Sequence, residues 1–353
     1  MKLYPNITYI FTIWLISILL ISFVGFSTLP HSRIFSDDFL KSFSNWDGGH
    51  FLGIAKEGYK ERFQFAFFPL YPLTIKAVNQ IIQNYFISAI LISIVATFLG
   101  MHLLYKLVSI TFEKKIAEKT ILGLLFFPTS FYFITSYSEG LFFLLVVATF
   151  YFLRSRKFLL ATIFAILASA TRLSGLAVVL GVLVEVITIY GINRKNWYIL
   201  LAPLGFLIYC FYLLKLTGDP FYFTVAELHW QRNITIPSIS FWETIKNLSQ
   251  GGFISNHFNT FLDLVFAIFG LGLAVRTFRF LPPSFAIYSL ASVLLPLFTP
   301  TLSSMPRFLL PIFPIFILLA FFKNRFLILG YQLISLMLLS IFTVLFLNGY
   351  WVS

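Results

Sequence analysis

Long apolar runs separated by short charged connections dominate the chain. They lie at 7–29, 85–110, 120–136, 138–153, 158–171, 175–190, 197–216, 261–278, 284–300, 308–322 and 326–347. A helix needs roughly 20 residues to cross the hydrocarbon core, and several of these runs are near or below that length. The pattern predicts an all-α fold, a polytopic transmembrane helical bundle of about 11 spans forming one domain over 1–353. The first run follows Lys2, is too long for a signal-peptide core and has no small-x-small cleavage site. It is therefore expected to be a retained anchor. Two connections are long, 30–84 and 217–260, and both are rich in Trp, Tyr and Phe. Loops of that length are commonly functional. Within the first, prolines and Lys76 make 65–84 a poor full span, so an interfacial or re-entrant helix is expected there. No soluble domain and no strong internal repeat stand out.

Composition sharpens the class. The chain is 59% hydrophobic and 11% charged, whereas soluble domains carry about a quarter charged residues. The net charge of +12 would by itself invite a nucleic-acid partner. Its distribution removes that reading. Alternate connections hold Lys2, Lys106 to Lys119, Arg154 to Lys157, Arg194-Lys195, Arg276, Arg279, Lys323 and Arg325. These are 14 Lys/Arg against Glu113, Glu118 and Glu185, a net +11. The opposite side carries the remaining 11 Lys/Arg against 10 acidic residues, a net +1. The positive-inside rule makes the first set cytoplasmic and accounts for nearly all of the excess. A lone cysteine, Cys210, sits in an apolar run, so no disulfide can form within the chain and packing is its expected role.

The polar clusters that remain fall on the non-cytoplasmic side. The first connection carries Asp37-Asp38, then Trp46-Asp47-Gly48-Gly49-His50. A carboxylate beside an aromatic ring in a dry cleft can take a proton from an acceptor hydroxyl. Asp47 is favoured because Trp46 and the glycines imply a shaped turn. Asp38 and Asp37 are the alternatives, and as a pair they could hold a divalent metal, although two neighbours alone do not indicate one. A solvated loop with interfacial aromatics explains the same residues equally well. Tyr137-Ser138-Glu139 forms an outer turn, where Glu139 either caps a helix N-terminus or orients a sugar. Arg172 stands in a short turn between apolar runs, which points to an anionic partner rather than simple snorkelling. Asp219 lies in a Gly-Asp-Pro turn. His229, Trp230 and Gln231 offer donors and a stacking surface for sugar or phosphate, and Arg232 beside them is expected to be solvated. Arg307 heads an apolar run, where its fork and a helix terminus would both favour phosphate. His102 and Glu185 lie in apolar runs away from these clusters and are expected to be structural. No nucleotide-binding loop, dinucleotide fingerprint, His-Glu-x-x-His or paired-Cys motif occurs.

Taken together, Trp46-Asp47, Phe68-Pro69-Leu70-Tyr71-Pro72, Tyr137-Ser138-Glu139, Thr171-Arg172-x-x-Gly175, Gly218-Asp219-Pro220 and Arg307-Phe308 resemble the PIG-V type of GPI mannosyltransferase II and its prokaryotic relatives, within the GT-C glycosyltransferases. The resemblance runs from about 40 to 310. It implies a polyprenyl-phosphate sugar as donor, typically carrying mannose, and an outer-loop carboxylate as the catalytic group, which falls on Asp47. The partners expected are that donor, a lipid-linked or glycan acceptor, and membrane lipids. No cofactor is expected, because fixed cations such as Arg307, Arg172 and His229 can neutralise a departing lipid phosphate. The membrane would be a prokaryotic cell membrane, or the endoplasmic reticulum in a eukaryote. Two other classes remain open. A transporter or lipid flippase would place polar residues at mid-membrane depth and show repeat symmetry. A non-catalytic scaffold would use the outer clusters only as interfacial anchors.

Overall fold

A computed structural model describes residues 3–32, 38–250 and 255–352. The fold is all-helical, 78% helix, with no strand among the described residues. Among the described residues five helices are long and apolar enough to cross a membrane: Pro5–Thr28, Tyr85–Thr111, Trp197–Thr217, Phe258–Phe280 and Arg325–Leu347. Phe158–Thr171, Gly175–Tyr190 and Pro283–Leu297 are shorter apolar helices. Eleven full crossings are thus not established, and the reasons are local. The run at 120–136 ends its helix at Leu125 and continues as a 3-10 turn at Ser130–Ile134. Pro128 lies between the two pieces, and proline cannot donate into a helix. The run at 308–322 is likewise split into Met305–Leu309 and Phe313–Ala320 around Pro311.

The chain forms two compact units. The first comprises Met1–Lys56, Tyr71–Tyr151 and Phe316–Val352. Its centre is a set of fully buried aromatics from 127–143, among them Phe127, Phe131, Phe133, Phe142 and Phe143. The high phenylalanine content of this stretch therefore fills a core rather than facing lipid. Around it, helix Pro5–Thr28 packs on Arg325–Leu347, and Asn348 Nδ2 donates to the carbonyl of Gly25 at 3.3 Å. His102 is used by the fold, as expected. Its Nδ1 donates to the carbonyl of Phe98 at 2.9 Å and its Nε2 lies 3.2 Å from the hydroxyl of Thr8. Helix Leu70–Ile82 occupies the segment read as a poor span, burying Tyr71 and Ile75 and exposing Leu73 and Ile81.

The second unit comprises Glu57–Leu70 and Phe152–Ile315. Its helices Gly175–Glu185 and Pro283–Leu297 pack together, with a buried ion pair beside them. Glu185, fully buried, pairs with Arg154, whose Nε lies 2.8 Å from a carboxylate oxygen, and accepts from the hydroxyl of Ser284. Arg154 belongs to a stretch that the sequence presents as a charged connection, yet its side chain is 18% exposed. A buried carboxylate is tolerated only when paired, so Glu185 is structural for a reason that lies 31 residues upstream in the chain. Helix Pro237–Gln250 carries its polarity inside out. Ser240 is buried and donates to the carbonyls of Leu297 and Thr299. Ile236, Ile239, Trp242 and Ile245, spaced by three, are exposed.

Candidate functional site

In the first unit the site is built around Trp46 and Asp47. Asn45 is buried and its Nδ2 donates to the carbonyls of Phe346 and Leu347 at 3.0 and 3.3 Å. It thereby satisfies orphan carbonyls at the C-terminal end of helix Arg325–Leu347. Trp46 then adopts a left-handed backbone, φ 58°, with its ring 5.0 Å from that of Trp351. The turn implied by the sequence is thus real, but it lies at Trp46. Gly48 and Gly49 instead belong to the first turn of helix Asp47–Glu57. Asp47 starts that helix, where the dipole favours a carboxylate. It is partly buried, and His50 on the same helix is too.

Tyr137 ties this helix to the second predicted cluster. Its hydroxyl accepts from the N–H of Asp47 at 3.2 Å and donates to the carbonyl of Asn45 at 3.0 Å. A Cβ on Gly48 would come within 3.3 Å of the Tyr137 ring, so the approach is close. Two residues on, Glu139 opens helix Glu139–Arg154 and is buried, 1% exposed. Ser93 fixes the turn between them by donating to the carbonyl of Tyr137 at 3.2 Å. Its hydroxyl is also 3.0 Å from that of the fully buried Tyr71, the tyrosine of the Pro-Leu-Tyr-Pro stretch. Trp46, Asp47, Tyr137 and Glu139 therefore share one neighbourhood. That neighbourhood holds two carboxylates, groups that can accept protons and hydrogen bonds from hydroxyl groups.

Asp38, the alternative base, makes local contacts. Its carboxylate accepts from the N–H groups of Leu40 and Lys41 at 3.0 and 3.2 Å and pairs with Lys41 Nζ at 3.3 Å. These contacts, the Lys41 N–H foremost, hold its pKa below the usual carboxylate value. A lowered pKa makes it a weaker base than a free aspartate. Asp37 lies outside the described residues.

In the second unit, cations gather on one ring. The guanidinium carbons of Arg172, Arg232 and Arg307 lie 5.9, 5.2 and 5.6 Å from the centroid of Phe308. Arg172 follows helix Phe158–Thr171 in extended conformation, and Arg307 lies in the short helix Met305–Leu309. Arg307 is buried, 7% exposed. Arg232 was expected to be solvated in mid-loop. It is half-buried instead, and its Nη2 donates to the carbonyl of Ser303 at 2.9 Å. Reading along the chain could not find this, because the acceptor lies 71 residues away.

The other predicted residues of this unit make the following contacts. Asp219 closes its own turn, accepting from the N–H of Phe221 at 2.8 Å after Gly218 takes a left-handed φ of 80°. The ring of His229 stacks on Phe63 at 4.5 Å and is otherwise exposed. Trp230 packs edge-on against Phe63 and Phe67 at 5.7 and 5.5 Å. Gln231 is exposed in a left-handed turn, φ 59°. A residue missed altogether is Asp263, buried at 4% exposure inside helix Ser255–Phe280. It accepts from the N–H of Met305 at 3.2 Å, two residues before Arg307. The available signal was a single carboxylate in an otherwise uncharged apolar stretch. Among the described residues no three His, Cys, Asp or Glu side chains gather as metal ligands would.

Comparison with known proteins finds a family match over part of the chain. Residues 32–196 match the family described as Mannosyltransferase (PIG-V). That stretch contains Asp47, Tyr137, Glu139 and Arg172, while Arg232, Asp263 and Arg307 lie beyond it. No curated protein matches the chain. Over that stretch the chain is similar to the PIG-V mannosyltransferases.

Proposed function

We propose that the protein is an integral-membrane inverting glycosyltransferase that moves a hexose, mannose by the family match, from a polyprenyl-phosphate sugar to a lipid-linked or cell-surface acceptor. The charge asymmetry of the connections supports a reaction on the non-cytoplasmic side. Asp47 takes the proton of an acceptor hydroxyl as its oxygen attacks the anomeric carbon. The bond from that carbon to the phosphate oxygen breaks on the opposite face, and the lipid phosphate leaves with both electrons. The sugar is inverted at the attacked carbon. Arg172, Arg232 and Arg307 hold the phosphate and stabilise the charge it gains. Glu139 and Tyr137 keep Asp47 and the sugar hydroxyls in register.

The observation that carries this reading is the convergence of three guanidinium groups on Phe308. A phosphate near this ring would be attracted by each of the three guanidinium groups. A guanidinium fork also matches two phosphate oxygens at once. The test is transfer by purified protein from synthetic polyprenyl-phosphate sugars, with initial rates over a donor series. Arg172→Ala, Arg232→Ala and Arg307→Ala should each weaken donor use, with Arg307→Lys a partial rescue. Equal rates in all three alanine variants and the parent would end the phosphate assignment.

A further inference from the structure

We propose that Asp263 is a positioning residue for the donor site, acting through the backbone of the segment that presents Arg307. The inference rests on the reading that the arginine cluster holds the donor phosphate. Asp263 lies in Phe258–Phe280, one of the helices able to span a membrane, and is 4% exposed. A carboxylate in such a helix is costly and is commonly functional. Its Oδ1 accepts from the N–H of Met305 at 3.2 Å. Met305 is the first residue of the short helix that contains Arg307, and its own side chain is fully buried.

A second contact shows that this docking is close. Seven residues after Asp263, on the same helix face, a Cβ at Gly270 would stand 2.5 Å from Cδ2 of Leu309. Met305 and Leu309 are themselves four apart and share a face. The two helices therefore meet twice, once by a hydrogen bond before Arg307 and once by close packing after it. The backbone before Met305 also needs holding. Ser304, buried at 1% exposure, has a left-handed φ of 70°, a conformation that a non-glycine residue adopts only when its surroundings impose it. On the preceding residue, the carbonyl of Ser303 receives the Arg232 guanidinium. Asp263 thus anchors the segment on which two of the three arginines depend.

Two readouts test this and separate it from the donor assignment. Hydrogen exchange over 299–309, in detergent-purified protein, reports the anchoring without reference to activity. Asp263→Leu should speed exchange there. Asp263→Asn retains an acceptor oxygen and should leave exchange near that of the parent. Donor KM and kcat report the consequence. Asp263→Leu should raise donor KM roughly tenfold, the scale of a lost charge-assisted hydrogen bond, with acceptor KM unchanged. Asp263→Asn should recover most of it. The double variant Asp263→Leu/Arg307→Ala should be no worse than Arg307→Ala, since residues acting through one another are not additive. Should Asp263→Leu fail to fold, Asp263→Ser, whose hydroxyl falls short of Met305, replaces it. Unchanged exchange in the variant, or multiplying effects in the double, overturns the positioning role. Faster exchange with donor KM unaffected in Arg307→Ala would keep the anchoring and reject the phosphate assignment alone.

Discussion

Gly140 is the position at which a single methyl group should disturb the carboxylate site most. It follows Glu139 and lies against helix Tyr85–Thr111. A Cβ built there stands 2.7 Å from the carbonyl oxygen of Ser93 and 2.7 Å from the hydroxyl of Thr97. Neither neighbour can give way cheaply. The first is backbone in the middle of a helix. The second is engaged with the carbonyls of Ser93 and Phe133 at 2.8 and 3.2 Å. Relieving the overlap requires the helices to part by roughly half an ångström, and overpacking of this kind costs about 1–3 kcal/mol. In a protein of this size that corresponds to a melting temperature lower by roughly 1–2 °C per kcal/mol. The displacement also carries Glu139 and Tyr137, so transfer should fall further than stability alone would explain. Gly123 provides the internal control, because a Cβ there meets only Phe316 at an ordinary 4.0 Å. Gly123→Ala should be neutral or slightly stabilising. Thermal melts of both variants in detergent, paired with initial transfer rates, decide the matter. If Gly140→Ala melts with the parent and transfers sugar at the parent rate, the close approach carries no such constraint.

Three further outcomes are expected. Asp47→Asn should retain the melting temperature, because the N–H to Tyr137 is backbone, while transfer drops by roughly 10²–10⁴-fold; full activity in a rate assay would remove Asp47 as the base. Glu185→Gln should cost about 3–5 kcal/mol by leaving Arg154 without its buried partner, and the double change Arg154→Met/Glu185→Met should recover most of that, as chemical denaturation will show. Asp38, whose pKa is lowered in the folded state, contributes stability above its unfolded pKa that is lost as pH falls through its folded value; melts followed from neutral to acidic pH should show a small acid loss that Asp38→Asn removes, with transfer at neutral pH unchanged.

Helices at 7–29, 85–110 and 326–347 were legible from hydropathy alone, because an unbroken apolar run of that length has few other solutions. Hydropathy could not tell lipid-facing from core-facing aromatics. The phenylalanines of 127–143 show this, since they are buried within the protein. Asp47, Tyr137 and Glu139 were each singled out from local residue types, but their union depends on the Tyr137 hydroxyl reaching back 90 residues. Arg154 and Arg232 misled for the same reason in reverse. A charged residue in a connection reads as solvated until the distant partner is known. The Gly-Asp-Pro turn at Asp219 was legible from local residue types alone.

The contact between Asp263 and Met305 also bears on how the chain enters its membrane. A carboxylate at the centre of an inserting helix costs about 3 kcal/mol, less toward its end. The amide that receives Asp263 in the folded protein is synthesised 42 residues after it. Helix Phe258–Phe280 is therefore synthesised before that partner exists. Its commitment to the bilayer is tied to the later arrival of 305–309. Slowing translation between the two segments should lengthen the interval in which this helix remains extractable.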